Sequence, residues 1–281
     1  MKRLRIEHRT GYTYDGPAFA SYNEARMLPA SGRSQLVISS DLTVSQATSQ
    51  FGYVDYFGTK VSSFDVLVPH DELTLVATSL VEVRPHSDGP GGATWEQLAD
   101  HRNDTIALSE QLQQTGRTRP PAEVARLARR AVEQTKTPAE AAASILSAVG
   151  ESIEYVQGVT AVTTSAAQAW DKRKGVCQDI AHIALGALRA VGIPARYVSG
   201  YLHPSPDAAI GDEVAGESHA WLEWWDGDWH GYDPTNHTEI TDRHVQVGRG
   251  RDYGDVPPLR GVYSGEGASH LFVSVHITRE A

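Results

Sequence analysis

Gly175-Val176-Cys177-Gln178-Asp179-Ile180-Ala181-His182-Ile183-Ala184-Leu185-Gly186-Ala187-Leu188-Arg189-Ala190-Val191-Gly192-Ile193-Pro194 decides how this chain is read. Ile180, Ile183, Ala184, Ala187, Leu188 and Val191 recur at steps of three and four, the period of a helix with a buried face. Gly192 suits the left-handed position after such a helix, and Pro194 prevents its continuation. Gly175 permits an unusual backbone angle just before the first turn. Cys177 therefore falls at or very near the helix N-terminus.

That placement has chemical meaning. The nucleophilic form of cysteine is the thiolate, and the unpaired N–H groups and positive dipole end of a helix favour an anion. The same N–H groups can donate to an oxyanion formed when sulfur attacks a carbonyl. Asp179, in the same first turn, opposes a second negative charge, so a cationic partner is required and histidine is the obvious candidate. The plainer reading of Cys177, a small buried hydrophobe, holds for most lone cysteines. A second segment favours the chemical one.

Ser218-His219-Ala220-Trp221-Leu222-Glu223-Trp224-Trp225-Asp226-Gly227-Asp228-Trp229-His230-Gly231-Tyr232-Asp233-Pro234-Thr235-Asn236 reads as two aromatic-rich strands around an Asp-Gly turn. A two-residue loop at Asp226-Gly227 would put His219 and Asp233 on opposite faces. A three-residue loop, Trp225-Asp226-Gly227, pairs Trp224 with Asp228 and sets His219 directly across from Asp233, and this register is the one expected. Asp233 would then orient His219 and fix its tautomer, while His219 takes the Cys177 proton and returns one to the leaving group. A His–Asp pair serving only stability is the alternative that Cys177 argues against.

Around this centre, residues 1–85 read as a β-rich domain. Leu36-Val37-Ile38, Val61 to Val68 and Leu73 to Val83 are strand-like, with turns expected at Asp15-Gly16-Pro17, Ser31-Gly32, Phe57-Gly58 and Pro69-His70-Asp71. A sandwich or partly open barrel is the expected form. Residues 86–93, opening with His86-Ser87-Asp88-Gly89-Pro90-Gly91-Gly92, read as a linker, and 94–281 as the catalytic domain. Helices are expected from Pro121 to Val132, from Pro138 to Val149 and, capped by Ser165, to Trp170, with strands again after Ala195. The fold class is α+β.

Gly175-Val176-Cys177-Gln178-Asp179, then His219-Ala220-Trp221, then Asp233-Pro234-Thr235-Asn236 resemble the motifs of the transglutaminase-like superfamily, and more narrowly its bacterial members assigned as cysteine proteases. Tyr12-Thr13-Tyr14 and Arg26-Met27-Leu28-Pro29 resemble the N-terminal region of those proteins, and Gly250 to Pro258 with Arg260-Gly261 resemble their C-terminal part. The resemblance implies a papain-like core, in which a cysteine-bearing helix packs on an antiparallel sheet that carries histidine and aspartate. Its catalytic residues would be Cys177, His219 and Asp233. Gln178, Trp221, Arg251, Asp252 and Tyr253 would lie near substrate. The spacing from Cys177 to His219 is far shorter than the roughly 130–150 residues of papain-type proteases, which favours the transglutaminase-like branch. Val176 stands where animal transglutaminases carry glutamine, so crosslinking of glutamine to lysine is not implied.

The reaction expected is acyl transfer through a thioester, with a peptidase or amidase first, an amine-accepting transglutaminase or amide ligase second, and an inactive peptide-binding module third. A peptide, protein or small amide is the expected partner. A net charge of −10 argues against a nucleic-acid binder, and Arg126 to Arg130 and Lys172-Arg173-Lys174 are short enough to be solvated faces. No signal peptide or membrane span is read, and a single cysteine fits a reducing, cytoplasmic setting. Twelve histidines invite a metal, yet no metal-ligand spacing is present and neither metal nor cofactor is expected. His182 reads as a packed residue. Trp221, Trp224, Trp225 and Trp229 read as core rather than as a substrate platform.

Overall fold

In the computed structural model, residues 1–84, 92–104 and 106–281 are described. The expected linker lies largely at 86–91, outside the described residues. The chain opens with six strands, β1 (Lys2–Ala18), β2 (Ala20–Ala25), β3 (Gln35–Val44), β4 (Ser49–Val54), β5 (Lys60–Val66) and β6 (His70–Val83). Helices follow: α1 (Trp95–Asp104), α2 (Ile106–Glu110), α3 (Ala122–Gln134) and α4 (Pro138–Glu151). The short strand β7 (Glu154–Tyr155), helix α5 (Ala166–Lys172) and short strand β8 (Lys174–Gly175) lead into α6 (Cys177–Ala190). Then come β9 (Ala195–Leu202), β10 (Glu213–Trp225), β11 (Trp229–Asp233), β12 (Thr238–Glu239), β13 (His244–Gly250), β14 (Leu259–Ser264) and β15 (Ser269–Arg279).

The strands of the N-terminal part form two layers. β14, β2, β5 and β4 make one sheet, while β15, β1, β6 and β3 are neighbours in the larger one. Apolar residues of both, among them Tyr14, Ala25, Met27, Phe64, Val66, Leu73 and Leu75, fill the space between them. This is the sandwich expected of alternating, half-buried strands. The Asp15-Gly16-Pro17 turn is not found. Those residues lie inside β1, where pairing with β6 jumps from Thr13 to Ala18, so glycine and proline mark an irregularity in a long strand. At Pro69-His70-Asp71 the chain is already entering β6.

The last two strands return to the first two: β15 pairs with β1 from Leu4↔Arg279 to Tyr14↔Ser269, and β14 pairs with β2. β15 also pairs with β10 through Glu213↔Thr278 to Gly216↔Val275. One nine-stranded sheet thus runs through both expected domains, in the order β12-β11-β10-β15-β1-β6-β3, with β9 and β13 attached beside β10. Leu4, Ile6 and Val81 pack with Tyr201, Val245 and Ile277 across this junction. The β9–β13 part of the sheet, being continuous with the sandwich, has little freedom to reorient against it.

Helices α3 to α6 cover β9 and β10 around a third core. Thr137 and Glu140 cap α4 reciprocally, and Ser165, the expected N-cap of α5, does the same with Gln168. α6 departs from a one-faced helix: every residue from Gln178 to Arg189 is buried. Gly186 makes this possible, since a Cβ there would stand 2.0 Å from the Thr118 carbonyl oxygen. Arg189, at the far end of α6, donates to Ala195 O, Gln113 O, Thr118 Oγ1 and Arg251 O, which satisfies a charge otherwise costly to bury. The helix carrying Cys177 is therefore held from all sides.

Candidate active site

Cys177 is the first residue of α6 and is half-buried, packed against the helical core. The turn before it is set by Asp179, whose Oδ2 accepts from Val176 N–H at 2.9 Å and from Thr160 Oγ1 at 2.6 Å. Gly175 lies against that carboxylate, where a Cβ would approach Asp179 to 2.8 Å. Burial pushes the Asp179 carboxyl above its usual value, against the pull of Thr160 and Val176. The first-turn N–H groups of Asp179 and Ile180 bond Val176 O, while those of Cys177 and Gln178 have no partner among the described residues.

His219 comes from β10, where it pairs with Gly200 of β9. Its Nε2 lies 2.7 Å from Asp233 Oδ2, both residues being buried. Burial alone would lower the His219 pKa, but the hydrogen bond to Asp233, a hydrogen bond to Cys177 and the charges of both raise it to about 10. Burial likewise opposes the Asp233 carboxylate, yet His219, His244 and Asn236 hold its pKa well below the ordinary range. The carboxylate can only accept, so Nε2 of His219 is a donor and its Nδ1 is the nitrogen left for the sulfur. Asp233 Oδ1 accepts from the N–H groups of Thr235 and Asn236, and Oδ2 also accepts from Asn236 Nδ2 at 2.7 Å. The Asp233-Pro234-Thr235-Asn236 segment thereby locks its own first residue.

The expected register of the hairpin is wrong by two residues. Trp225 pairs with Trp229 and Trp224 with His230, so the loop is Asp226-Gly227-Asp228, with Gly227 at φ +113°. The residue nearest to a position across from Asp233 is Trp221, and His219 is a diagonal neighbour instead. A slip of two keeps side chains on the same face, and an imidazole spans the diagonal. Cys177, His219 and Asp233 are thus brought together, by a different geometry from the one expected.

His244, which the sequence did not single out, belongs to the same cluster. It opens β13, is fully buried, and its Nε2 lies 3.3 Å from Asp233 Oδ2. Thr241 N–H donates to His244 Nδ1 at 3.1 Å, so the proton sits on Nε2 and the ring is neutral. Burial accordingly depresses its pKa despite Asp233. His219, Asp233 and His244 offer three ligand atoms within 4.8 Å of one another. Both imidazole nitrogens act there as donors to one carboxylate oxygen, so hydrogen bonding accounts for the group and no metal is assigned.

The remaining expected site residues are engaged by the protein. Gln178 is buried, with its amide 3.4 Å from Val162 O. Trp221 is core: its ring lies over Gly200, where a Cβ would come within 2.5 Å, and beside His219 and His244. Arg251 forms an ion pair with Asp255, and Asp252 Oδ1 accepts from Gly254 N–H. Tyr253 N–H donates to His182 Nε2 at 3.1 Å, which ties the 251–255 turn to α6. His182 is the packed residue expected, and burial lowers its pKa to about 3.

Two family descriptions fit stretches of the chain: the bacterial transglutaminase-like N-terminal region over residues 4–82 and the transglutaminase-like superfamily over residues 125–234, which contain Cys177, His219 and Asp233. The chain belongs to the transglutaminase-like superfamily. Uncharacterized protein ML0607 of Mycobacterium leprae is 44% identical over 285 residues, spanning all of both chains. Uncharacterized protein Rv2569c of Mycobacterium tuberculosis is 34% identical over 300 residues, covering 98% of this chain and 92% of its own. The crystal structure of a putative cysteine protease from Cytophaga hutchinsonii shares the fold, with a TM-score of 0.76 and 18% identity over 99% of this chain and 97% of that one. Transglutaminase-like proteins are a cysteine-dependent enzyme family, and this chain has the transglutaminase-like architecture from end to end. Among the described residues no helix is long and apolar enough to cross a membrane.

Proposed function

We propose that the protein is a thiol amidase or peptidase in which Cys177 is the nucleophile, His219 the acid–base and Asp233 the residue that orients His219. The observation that carries this reading is the pairing of His219 Nε2 with Asp233 Oδ2 at 2.7 Å, which leaves Nδ1 for a sulfur at the head of α6.

The chemistry follows in two halves. With its pKa raised to about 10, His219 holds its proton at neutral pH and faces the sulfur as an imidazolium, the partner that an attacking thiolate requires. Sulfur attacks an amide carbonyl, and the N–H groups of Cys177 and Gln178, which have no partner among the described residues, donate to the resulting oxyanion in this reading. The C–N bond breaks, the imidazolium gives its proton to the leaving amine, and a thioester remains on Cys177. His219, now neutral, takes a proton from water, the hydroxide so formed opens the thioester, and a carboxylic acid leaves. The proton then on His219 restores the starting pair. Asp233 stays ionised throughout. A lone thiol used in this way suits a reducing compartment such as the cytoplasm.

The test is intact-mass analysis after mixing with p-nitrophenyl acyl esters and short peptide amides. A covalent acyl adduct on the wild type, absent in Cys177→Ala and no longer turned over in His219→Gln, is expected. Equal acylation of Cys177→Ala would overturn the assignment, as would a wild-type sulfur inert to both substrates and to iodoacetamide. Addition of an amine tests the acceptor: capture of most of the acyl group as amide, at the expense of acid, would make the enzyme a transferase.

A further inference from the structure

A cavity of about 470 Å³ lies between residues 30–35, the turn at 57–59 and the sheet formed by β10, β11 and β13. Neither Cys177 nor His219 lines it, although His244 and Trp221 do, so it lies behind the triad rather than in front of the sulfur. Its size is that of a site for a small organic molecule.

Its lining holds three arginines and three acids, but inside the rim two arginines share one carboxylate. Glu223 accepts from Arg196 Nε at 2.5 Å and from Arg249 Nε and Nη2 at 2.9 and 3.0 Å, so two guanidiniums share one carboxylate. The next acid, Asp228, is taken by Arg33 at 2.9 Å. Glu239 also borders the cavity, but its side chain is exposed on the rim, and no ion pair is found for it among the described residues. Arg196 is mostly buried, with its guanidinium carbon 3.7 Å from the Trp229 ring centroid. Stacking on indole fixes the plane of the fork, and its two Nη groups have no partner among the described residues. Burial depresses the Arg196 pKa to about 10 even with Glu223 beside it, as expected of a cation short of counter-charge. A rigid, half-satisfied guanidinium in a polar cavity matches the bidentate geometry of a carboxylate. Inside the rim Arg196 and Arg249 exceed Glu223 by one charge, which suits a singly charged anion, and Trp229, Phe57 and Ile240 provide surface for an organic body.

We infer that this cavity is a second binding site, separate from Cys177, for a small organic carboxylate held by the free Nη groups of Arg196 with Arg249 in support. The site also touches the triad through His244, whose Nε2 is bonded to Asp233. Occupancy would therefore lie one hydrogen bond away from Asp233, the residue that orients His219.

Calorimetric titration of the Cys177→Ala protein tests this independently of any acyl transfer. The probes are N-acetylglycine, N-acetylphenylalanine and glutarate, with N-acetylphenylalaninamide and inorganic phosphate as comparisons. At least one acid is expected to bind, and the neutral amide to bind at least about tenfold more weakly, the loss of one charge-assisted pair. Arg196→Gln should abolish the preference for acid over amide, and Glu223→Gln, which frees both arginines, should tighten acid binding. No binding by any of the three acids, equal binding of acid and amide, phosphate binding tighter than every acid, or an acid affinity unmoved in folded Arg196→Gln and weakened in folded Glu223→Gln would each overturn the inference.

Discussion

His244 donates from Nε2 to Asp233 at 3.3 Å, and the oxygen that accepts it is the one already bonded to His219. The carboxylate is thus held by a second ring that itself stays neutral. His244→Phe removes this donor and also leaves Thr241 N–H without its acceptor. The expected cost is about 1–3 kcal/mol of unfolding free energy, the penalty for unpaired buried polar groups. Turnover of a peptide amide should fall through kcat with KM little changed, because His244 positions Asp233 and does not face Cys177. Urea denaturation and steady-state kinetics on the same preparation check both parts.

Gly175 stands where the chain has no room for a methyl group. A Cβ at that position would lie 2.8 Å from Asp179 Cβ and Oδ2. Gly175→Ala should displace the carboxylate that caps Val176 N–H and receives Thr160. Overpacking of this kind costs about 1–3 kcal/mol. Because the displaced group begins the helix that carries Cys177, iodoacetamide should label the variant more slowly than the wild type at equal folded fraction. A variant as stable and as reactive as the wild type would contradict the packing described.

The fold and site were legible in the sequence to different depths at four places. α6, with Cys177 at its head, was legible because helical period, Gly192 and Pro194 are local signals, whereas Gly175, expected for its backbone freedom, has no positive φ and instead leaves room for Asp179. The hairpin was legible in its existence and faces but not in its register. Asp226, Gly227 and Asp228 are all turn-formers, and the pairing of Trp225 with Trp229 that decides among loops is a tertiary outcome. His244 was not legible at all: β13 reaches Asp233 only by pairing with β9, a neighbour relation that no spacing encodes. The nearest hint was a histidine at the head of an alternating run, His244-Val245-Gln246-Val247, on a strand facing the core. For the same reason β15, a long way from β1 in sequence, could not be assigned to the N-terminal sandwich beforehand.

Stability should fall on the alkaline side. The folded-state pKa of His219 is raised to about 10 from an ordinary 6.5, in spite of burial, by Asp233 and Cys177. A raised histidine contributes stability that is complete below about 6.5 and is lost as pH rises toward 10. The urea midpoint of the wild type is expected to decline between pH 7 and 10. His219→Gln, lacking the titrating group, should show a flatter profile over this window; an identical slope in the two proteins would refute the assignment.

The acid side is governed by other histidines. Burial lowers the pKa of His8 to about 4 and that of His182 to about 3. Each is neutral in the folded protein and binds a proton more readily once unfolded. Their contribution is therefore complete above about 6.5 and is lost as pH falls toward 4. His8 Nδ1 lies 3.0 Å from Tyr201 Oη, at the junction of the sandwich with β9. His8→Gln should reduce the slope of midpoint against pH between 6.5 and 4 without touching the alkaline limb, which separates this junction from the triad.

Asp233→Asn is the sharpest test of the triad's electrostatics. Both carboxylate oxygens accept hydrogen bonds: Oδ1 from Thr235 and Asn236 N–H, Oδ2 from His219, His244 and Asn236 Nδ2. An amide can supply only one oxygen. If that oxygen stays on the two backbone N–H groups, the NH₂ group faces His219 Nε2, a donor meeting a donor. The imidazole must then move its proton to Nδ1 or turn away, and in either state it is a poorer base toward Cys177. Loss of the third triad member in this manner costs roughly 10⁴ in kcat where the wrong tautomer is imposed. Turnover should drop by about three to four orders of magnitude, while Cys177 remains alkylatable at high pH, where a thiolate forms without help. Retention of more than a tenth of wild-type kcat would show that Asp233 serves the fold alone.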